Sequence, residues 1–86
     1  MPGDLPSPAA LHAALAAADA VHEEYERVAL KGVADMAWAG FFAAFVLGRV
    51  GDFAEASRLA ELLEEVESDD DWLAAAAEHV LMKLRS

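Results

Sequence analysis

The stretch MAWAGFFAAFVL, residues 36 to 47, carries no charge and three phenylalanines, and it decides how the chain folds. A membrane-spanning helix needs about 20 predominantly apolar residues. Here Asp35 and Arg49 bound the uncharged run, and Gly51-Asp52 then turns the chain. A helix that is apolar on nearly every side is instead typical of one covered by its neighbours. The sequence therefore predicts a central, buried helix rather than a membrane segment.

The composition indicates a small all-α protein. The chain has 86 residues and no cysteine, so neither a disulfide nor a thiolate metal site can support its thin core. Alanine, leucine and glutamate, which favour helices, are abundant, whereas residues that favour strands are scarce. Short chains often gain stability from a partner subunit, and we expect a homodimer here.

Helix-start and helix-stop signals divide the chain into four helices. Ser7 caps the first helix, Asp35 the second, and Asp52, with Glu55 three residues later, the third. The expected spans are 8–30, 35–50, 53–66 and 72–84. Because the connections are short, we expect a compact antiparallel bundle of four helices with the second one central. Residues 1–7 would form a flexible arm, and residues 8–86 a single helical domain.

An apolar stripe follows the first helix at spacings of three and four residues, and we expect it to face the core. Its members are Leu11, Leu15, Ala18, Val21, Tyr25 and Val28. The large side chains of the second helix point in more than one direction, so one copy of the chain is not expected to cover them all. If the Phe45 ring is buried, replacing it by alanine should cost about 3–5 kcal/mol.

The formal net charge of −10 excludes several classes of partner. Six basic residues cannot neutralise a row of phosphates, so we expect no nucleic-acid binding. Anionic membrane surfaces would repel the chain, whereas a basic protein would not. The N-terminal MPGDLPSPAA lacks the basic and apolar segments of a targeting signal, which favours a cytoplasmic location.

The segment HEEYE, residues 22 to 26, has the composition most like a metal site. His22 and Glu26 lie one helical turn apart and could bind one metal ion together with His79. The simpler interpretation is a solvated helix face on which Glu23 pairs with Arg27. We therefore expect no metal and no other cofactor, and keep a helical metal-binding protein as the alternative.

Side chains suited to covalent catalysis are scarce. The chain has no cysteine and no threonine, and Ser57, within the third helix, has no histidine at helical spacing. The acidic segment 61–71, ELLEEVESDDD, lacks the glycine and the ligand spacing of a calcium loop. We expect no catalytic residues, and we expect the acidic segment to be solvated or to form a docking surface for a basic partner.

Residues 47–66, LGRVGDFAEASRLAELLEEV, contain a recognisable helical corner. Gly51, Asp52, Phe53, Glu55 and Ala56 resemble the helix-turn-helix corner of a tetratricopeptide repeat. The resemblance is local and implies a helical hairpin, with a tetratricopeptide-like adaptor as an alternative function. An array of about three 34-residue repeats would not fit in this chain. Elsewhere the chain is similar to small helical bacterial proteins, which implies no activity.

These observations favour a small non-enzymatic interaction or accessory protein that self-associates. It would act through an apolar groove with an acidic rim. The residues expected on that surface are Trp38, Phe42, Phe45 and Trp72. The expected partners are a second copy of the chain or another protein.

Overall fold

A computed structural model describes residues 5–29, 31, 37–67 and 71–85. These residues form four helices and contain no strand. They are α1 (Pro8–Val28), α2 (Trp38–Val50), α3 (Ala56–Glu64) and α4 (Trp72–Arg85). The predicted all-α class and the number and order of the helices are confirmed.

The helices form a compact bundle in which each one packs against two others. The neighbouring pairs are α1 with α2, α2 with α3, α3 with α4, and α4 with α1. α2 also reaches α4 across the bundle, because Trp38 and Phe42 contact the ring of Trp72. α2 therefore contacts all three other helices.

Every helix contributes to one apolar core. The largest fully buried side chains are Leu11, Leu15, Val46, Leu59, Leu62, Leu63 and Val80. Alanines complete the core, notably Ala18, Ala43 and Ala76, which are fully buried. Small side chains at these positions let the helix backbones approach closely, so that a chain of this size closes around a single core.

The predicted start of α1 is confirmed. Ser7 is the N-cap, and its Oγ accepts a hydrogen bond of 3.1 Å from the Ala10 backbone N–H. Pro8 occupies the first helical position, where its missing N–H is not needed. Leu5, within the segment expected to be a flexible arm, packs half-buried against the core.

The predicted start of α3 is wrong. The helix begins at Ala56, three residues later than expected, so Asp52 does not cap it. Glu55 is the N-cap residue, and its side chain makes no capping hydrogen bond. The reason is Phe53, whose side chain turns into the core while its backbone N–H donates to the Gly51 carbonyl at 2.9 Å. Because the buried Phe53 ring fixes the backbone here, the residues before Ala56 do not adopt helical geometry.

The remaining boundaries differ from the expected ones by three residues or fewer. α1 ends at Val28 and α2 begins at Trp38, with Ala37 as the N-cap residue. The predicted cap Asp35 lies outside the described residues. α3 ends at Glu64, before the expected residue 66, and α4 begins at Trp72 as predicted.

The predicted core stripe of α1 is wrong in its second half. The buried line runs through Leu11, Ala14, Leu15, Ala18 and His22. Val21, Tyr25 and Val28, which were assigned to the stripe, are exposed. The start of α4 lies beside Asp19, since Asp19, Asp71 and Trp72 line one shallow depression. From Asp19 to the C-terminal end of α1, α4 no longer lies alongside, and α2 is the only described helix that packs against α1. One side of this part of α1 is therefore exposed to solvent.

Candidate functional site

Three of the four aromatic residues expected at a surface form an internal cluster. The ring centroids of Trp38, Phe42 and Trp72 lie 5.5 to 5.8 Å apart, all edge to face. Phe42 is only 4% exposed, which rules it out as a surface residue. The Trp72 indole Nε1–H donates to the Val66 carbonyl at 3.3 Å. The cluster thus joins α2 to α4, and its two half-buried tryptophans serve packing.

Phe45, the fourth of these residues, lies in a different arrangement. Its half-buried ring stacks on Phe41 with centroids 6.4 Å apart and planes 16° apart. Phe41 stacks in turn on Tyr25 of α1, at 5.7 Å and 19°. The three near-parallel rings run from α1 across to α2 at the border between core and solvent.

Apolar side chains on α1 extend this row of rings into solvent. Val21, Tyr25 and Val28 are 46%, 41% and 60% exposed and share one side of the helix. With Phe41 and Phe45, they define what we call the α1–α2 face. Most large apolar side chains exposed in the described part of the chain belong to it, and Met82 on α4 lies apart.

The outer side of α2, beside Phe41 and Phe45, carries only small residues. Gly40, Ala44 and Gly48 are exposed and follow each other at four-residue spacing, which aligns them along the helix. A Cβ atom built on Gly40 or Gly48 would meet no other atom of the described structure within 4 Å. Glycine within a helix costs about 0.5–1 kcal/mol relative to alanine. Packing within the described chain therefore gives no reason for either glycine.

Charge is confined to the edge of this surface. Residues 38 to 48 of α2 include no ionisable side chain. On α1, Arg27 donates to Glu24 in an exposed ion pair of 2.6 Å. Arg27 was predicted to pair with Glu23, four residues before it, but it pairs with Glu24, three residues before it. The edge thus carries both signs of charge, side by side.

His22 is buried behind the α1–α2 face. Its ring centroid lies 4.9 Å from that of Phe41 and 5.4 Å from that of Phe42. Its Nδ1 is 3.8 Å from the nearer carboxylate oxygen of Glu26, one turn along α1. The imidazole therefore fills the space between α1 and α2 and supports the rings in front of it.

His79 belongs to a separate pair on another side of the bundle. Its Nε2 donates to Glu65 Oε1 at 2.7 Å and so ties α4 to the end of α3. This hydrogen bond lowers the pKa of the Glu65 carboxyl below its ordinary value, with help from the positive charges of Lys83 and Arg58.

The alternative metal site does not assemble. Across residues 5–29, 31, 37–67 and 71–85, no three His, Cys, Asp or Glu side chains come together so that they could hold a metal ion. His22 and Glu26 form one pair, whereas His79 pairs with Glu65. The three residues weighed as ligands therefore do not share a site.

None of the described helices combines the length and the apolarity that crossing a bilayer requires.

Comparison with protein-family models, with curated proteins and with solved structures finds no match for this chain. The case for a function therefore depends on the surface itself.

Sequence reasoning missed two parts of this surface. Phe41 was not singled out, although the structure places it between Tyr25 and Phe45. Gly40 and Gly48 were likewise not among the residues expected at a surface. Their four-residue spacing around Ala44, within a run free of charge, was the available signal.

Proposed function

We propose that this chain is a non-enzymatic protein–protein interaction protein and that the α1–α2 face is its contact surface. The observation that carries the proposal is the continuity of exposed apolar groups over two helices. Val21, Tyr25 and Val28 adjoin the stacked rings of Phe41 and Phe45. Isolated exposed apolar residues are ordinary, but a contiguous apolar patch with a polar edge is typical of an interaction site.

The chemistry of the face suits a protein partner. Aromatic rings supply large contact areas and lose little side-chain freedom on binding. Aromatic residues are also common among the few residues that contribute most of the binding energy of an interface. Here Phe41 is held between two other rings, so its position is set before any partner arrives. The net charge of −10 disfavours nucleic acid and anionic lipid as partners. The proposal assigns the protein an accessory role in the cytoplasm.

Site-specific photo-crosslinking in the cells that express the chain tests this proposal. A benzoylphenylalanine replaces Val28 in one variant and Met82 in a second. The two positions are matched, because their side chains are 60% and 59% exposed and both are large and apolar. Only Val28 belongs to the α1–α2 face.

We expect a discrete protein adduct after irradiation of the Val28 variant and none, or a much weaker one, with the Met82 variant. Adducts of equal yield at both positions, or no adduct at position 28, would count against the proposal. Circular dichroism of both purified variants checks that each retains the helical content of the unmodified chain.

A further inference from the structure

We infer that the partner of the α1–α2 face is a second copy of this chain, bound about a twofold axis that passes beside Ala44. The inference rests on the proposed function and names the partner. The shape of the surface favours this occupant, and its charge and its size are compatible with it.

The α1–α2 face and the adjoining outer side of α2 together carry both projections and open space. The rings of Phe41 and Phe45 stand beside the backbone exposed at Gly40 and Gly48, where a Cβ would meet no described atom within 4 Å. A twofold contact requires a surface that complements itself, because the same patch serves on both subunits. Large rings next to glycines on one helix supply the projections and the open space that such a contact uses, and glycine lets two helix backbones approach closely.

The charge distribution also permits self-association. Two chains of net charge −10 repel each other, so a twofold contact is favourable only where acidic groups are absent from its centre. Residues 38 to 48 are such a region, since no ionisable side chain occurs there. At the α1 edge, Glu24 and Arg27 present opposite charges side by side. Each sign can then face the other across the axis.

The size of the face predicts a reversible dimer. α2 has 13 residues and so is about 20 Å long, and two packed helices are about 20 Å wide. At about 400 Å² per partner, this footprint is about half of the roughly 800 Å² that each partner buries in an interface of standard size, which is typical of a weak, transient contact. We therefore expect a weak dimer, with a dissociation constant on the order of 100 μM.

Sedimentation velocity of the full chain over a range of concentrations tests the inference. We expect a monomer–dimer equilibrium that Ala44→Glu weakens at least tenfold. The matched control is Ala9→Glu, which makes the same change at an exposed alanine near the other end of α1. The control should change the dissociation constant less than twofold, because it adds the same repulsive charge away from the axis.

Disulfide trapping locates the axis. The chain contains no cysteine, so Ala44→Cys introduces the only thiol. Residues next to a twofold axis meet their own copies, and a disulfide needs Cα atoms within about 7 Å of each other. Mild oxidation should convert Ala44→Cys to a covalent dimer rapidly, whereas Ala9→Cys should stay largely monomeric.

The glycines provide a test that does not introduce charge. Gly40→Ala and Gly48→Ala leave the described packing of one chain undisturbed. Each should nevertheless weaken the dimer severalfold, because the added methyl group separates the two α2 backbones.

Two results would overturn the inference. One is a monomer at every concentration up to about 1 mM, with no covalent dimer from Ala44→Cys, since 1 mM corresponds to only about −4 kcal/mol of binding. The other is a dimer that Ala44→Glu and Ala9→Glu affect equally. If position 28 then crosslinks to a different protein, the proposed function stands and only the second copy is refuted. If position 28 yields no adduct, both fail.

Discussion

Glu65 shows how a single residue makes the bundle sensitive to pH. The carboxylate accepts a hydrogen bond from His79 at 2.7 Å, which lowers its pKa in the folded state. The carboxylate form is therefore favoured by folding. This contribution is present at pH values above the unfolded-state pKa and is lost as the pH falls through the lowered folded-state pKa.

The first prediction follows from that sign. At about pH 6, Glu65→Gln should lower the unfolding midpoint, and the difference from the unmodified chain should shrink as carboxyl groups protonate below about pH 4. Thermal unfolding followed by circular dichroism measures both. Glu64→Gln is the control, because it removes the same charge from the neighbouring residue. If the unfolding midpoint of Glu65→Gln stays below that of the unmodified chain by a constant amount down to about pH 2.5, the Glu65 carboxylate is not the group whose hydrogen bond from His79 stabilises the fold.

The second prediction compares two apolar residues with different burial. The Phe45 ring is half-buried, so Phe45→Ala should cost about 1–2 kcal/mol rather than the 3–5 kcal/mol of a fully buried ring. Leu62 is fully buried, and Leu62→Ala should cost about 2–5 kcal/mol. Urea unfolding at low protein concentration gives both values for the monomer. A larger loss at Phe45 than at Leu62 would mean that the ring is packed more tightly than the structure describes.

At the scale of the helix, glycine has opposite effects within α2 and at its end. Gly40 and Gly48 lie within α2 with open space where a Cβ would be. Gly51 follows the last turn and has a φ of 98°, a backbone conformation that side chains with a Cβ rarely adopt. Its backbone N–H still donates a helical hydrogen bond to the Leu47 carbonyl at 2.9 Å, and its positive φ then turns the chain out of the helix.

The third prediction uses this contrast. Gly40→Ala and Gly48→Ala should each stabilise the monomer by about 0.5–1 kcal/mol, because alanine restricts the unfolded chain and favours the helix. Gly51→Ala should instead destabilise it by about 1–3 kcal/mol. Urea unfolding of dilute protein separates these effects from association. Destabilisation by Gly40→Ala or Gly48→Ala would show that a close contact within the chain requires glycine there.

At the scale of the whole molecule, net charge governs association. Each chain carries −10, so two copies repel each other beyond the contact itself. Salt screens this repulsion, since the Debye length falls from about 30 Å at 0.01 M to about 10 Å at 0.1 M ionic strength. Burial of apolar groups is much less affected by moderate salt.

The fourth prediction is therefore that salt strengthens the dimer. Raising ionic strength from about 0.01 M to about 0.2 M should lower the dissociation constant severalfold, as measured by sedimentation. A basic protein bound at the same face would show the opposite dependence, because its attraction to the acidic chain would be screened. Self-association that weakens with salt would mean that ion pairs, rather than the apolar face, hold the copies together.

The sequence by itself determined the number and order of the helices. Helix propensity and capping are local properties, so Ser7 and the abundant alanines sufficed to predict where α1 begins and that no strand competes. It also indicated correctly that the phenylalanine-rich segment is a helix in contact with its neighbours.

Only the tertiary structure decided which apolar side chains are buried and which form the candidate surface. Val21 and Val28 follow the same spacing as Leu11, yet they are exposed because α4 begins beside Asp19 and leaves the end of α1 without its cover. Phe42 and Phe45 are neighbours on one helix, yet only Phe42 faces Trp72. Burial depends on where distant segments meet, and that is a property of packing between helices rather than of any one helix.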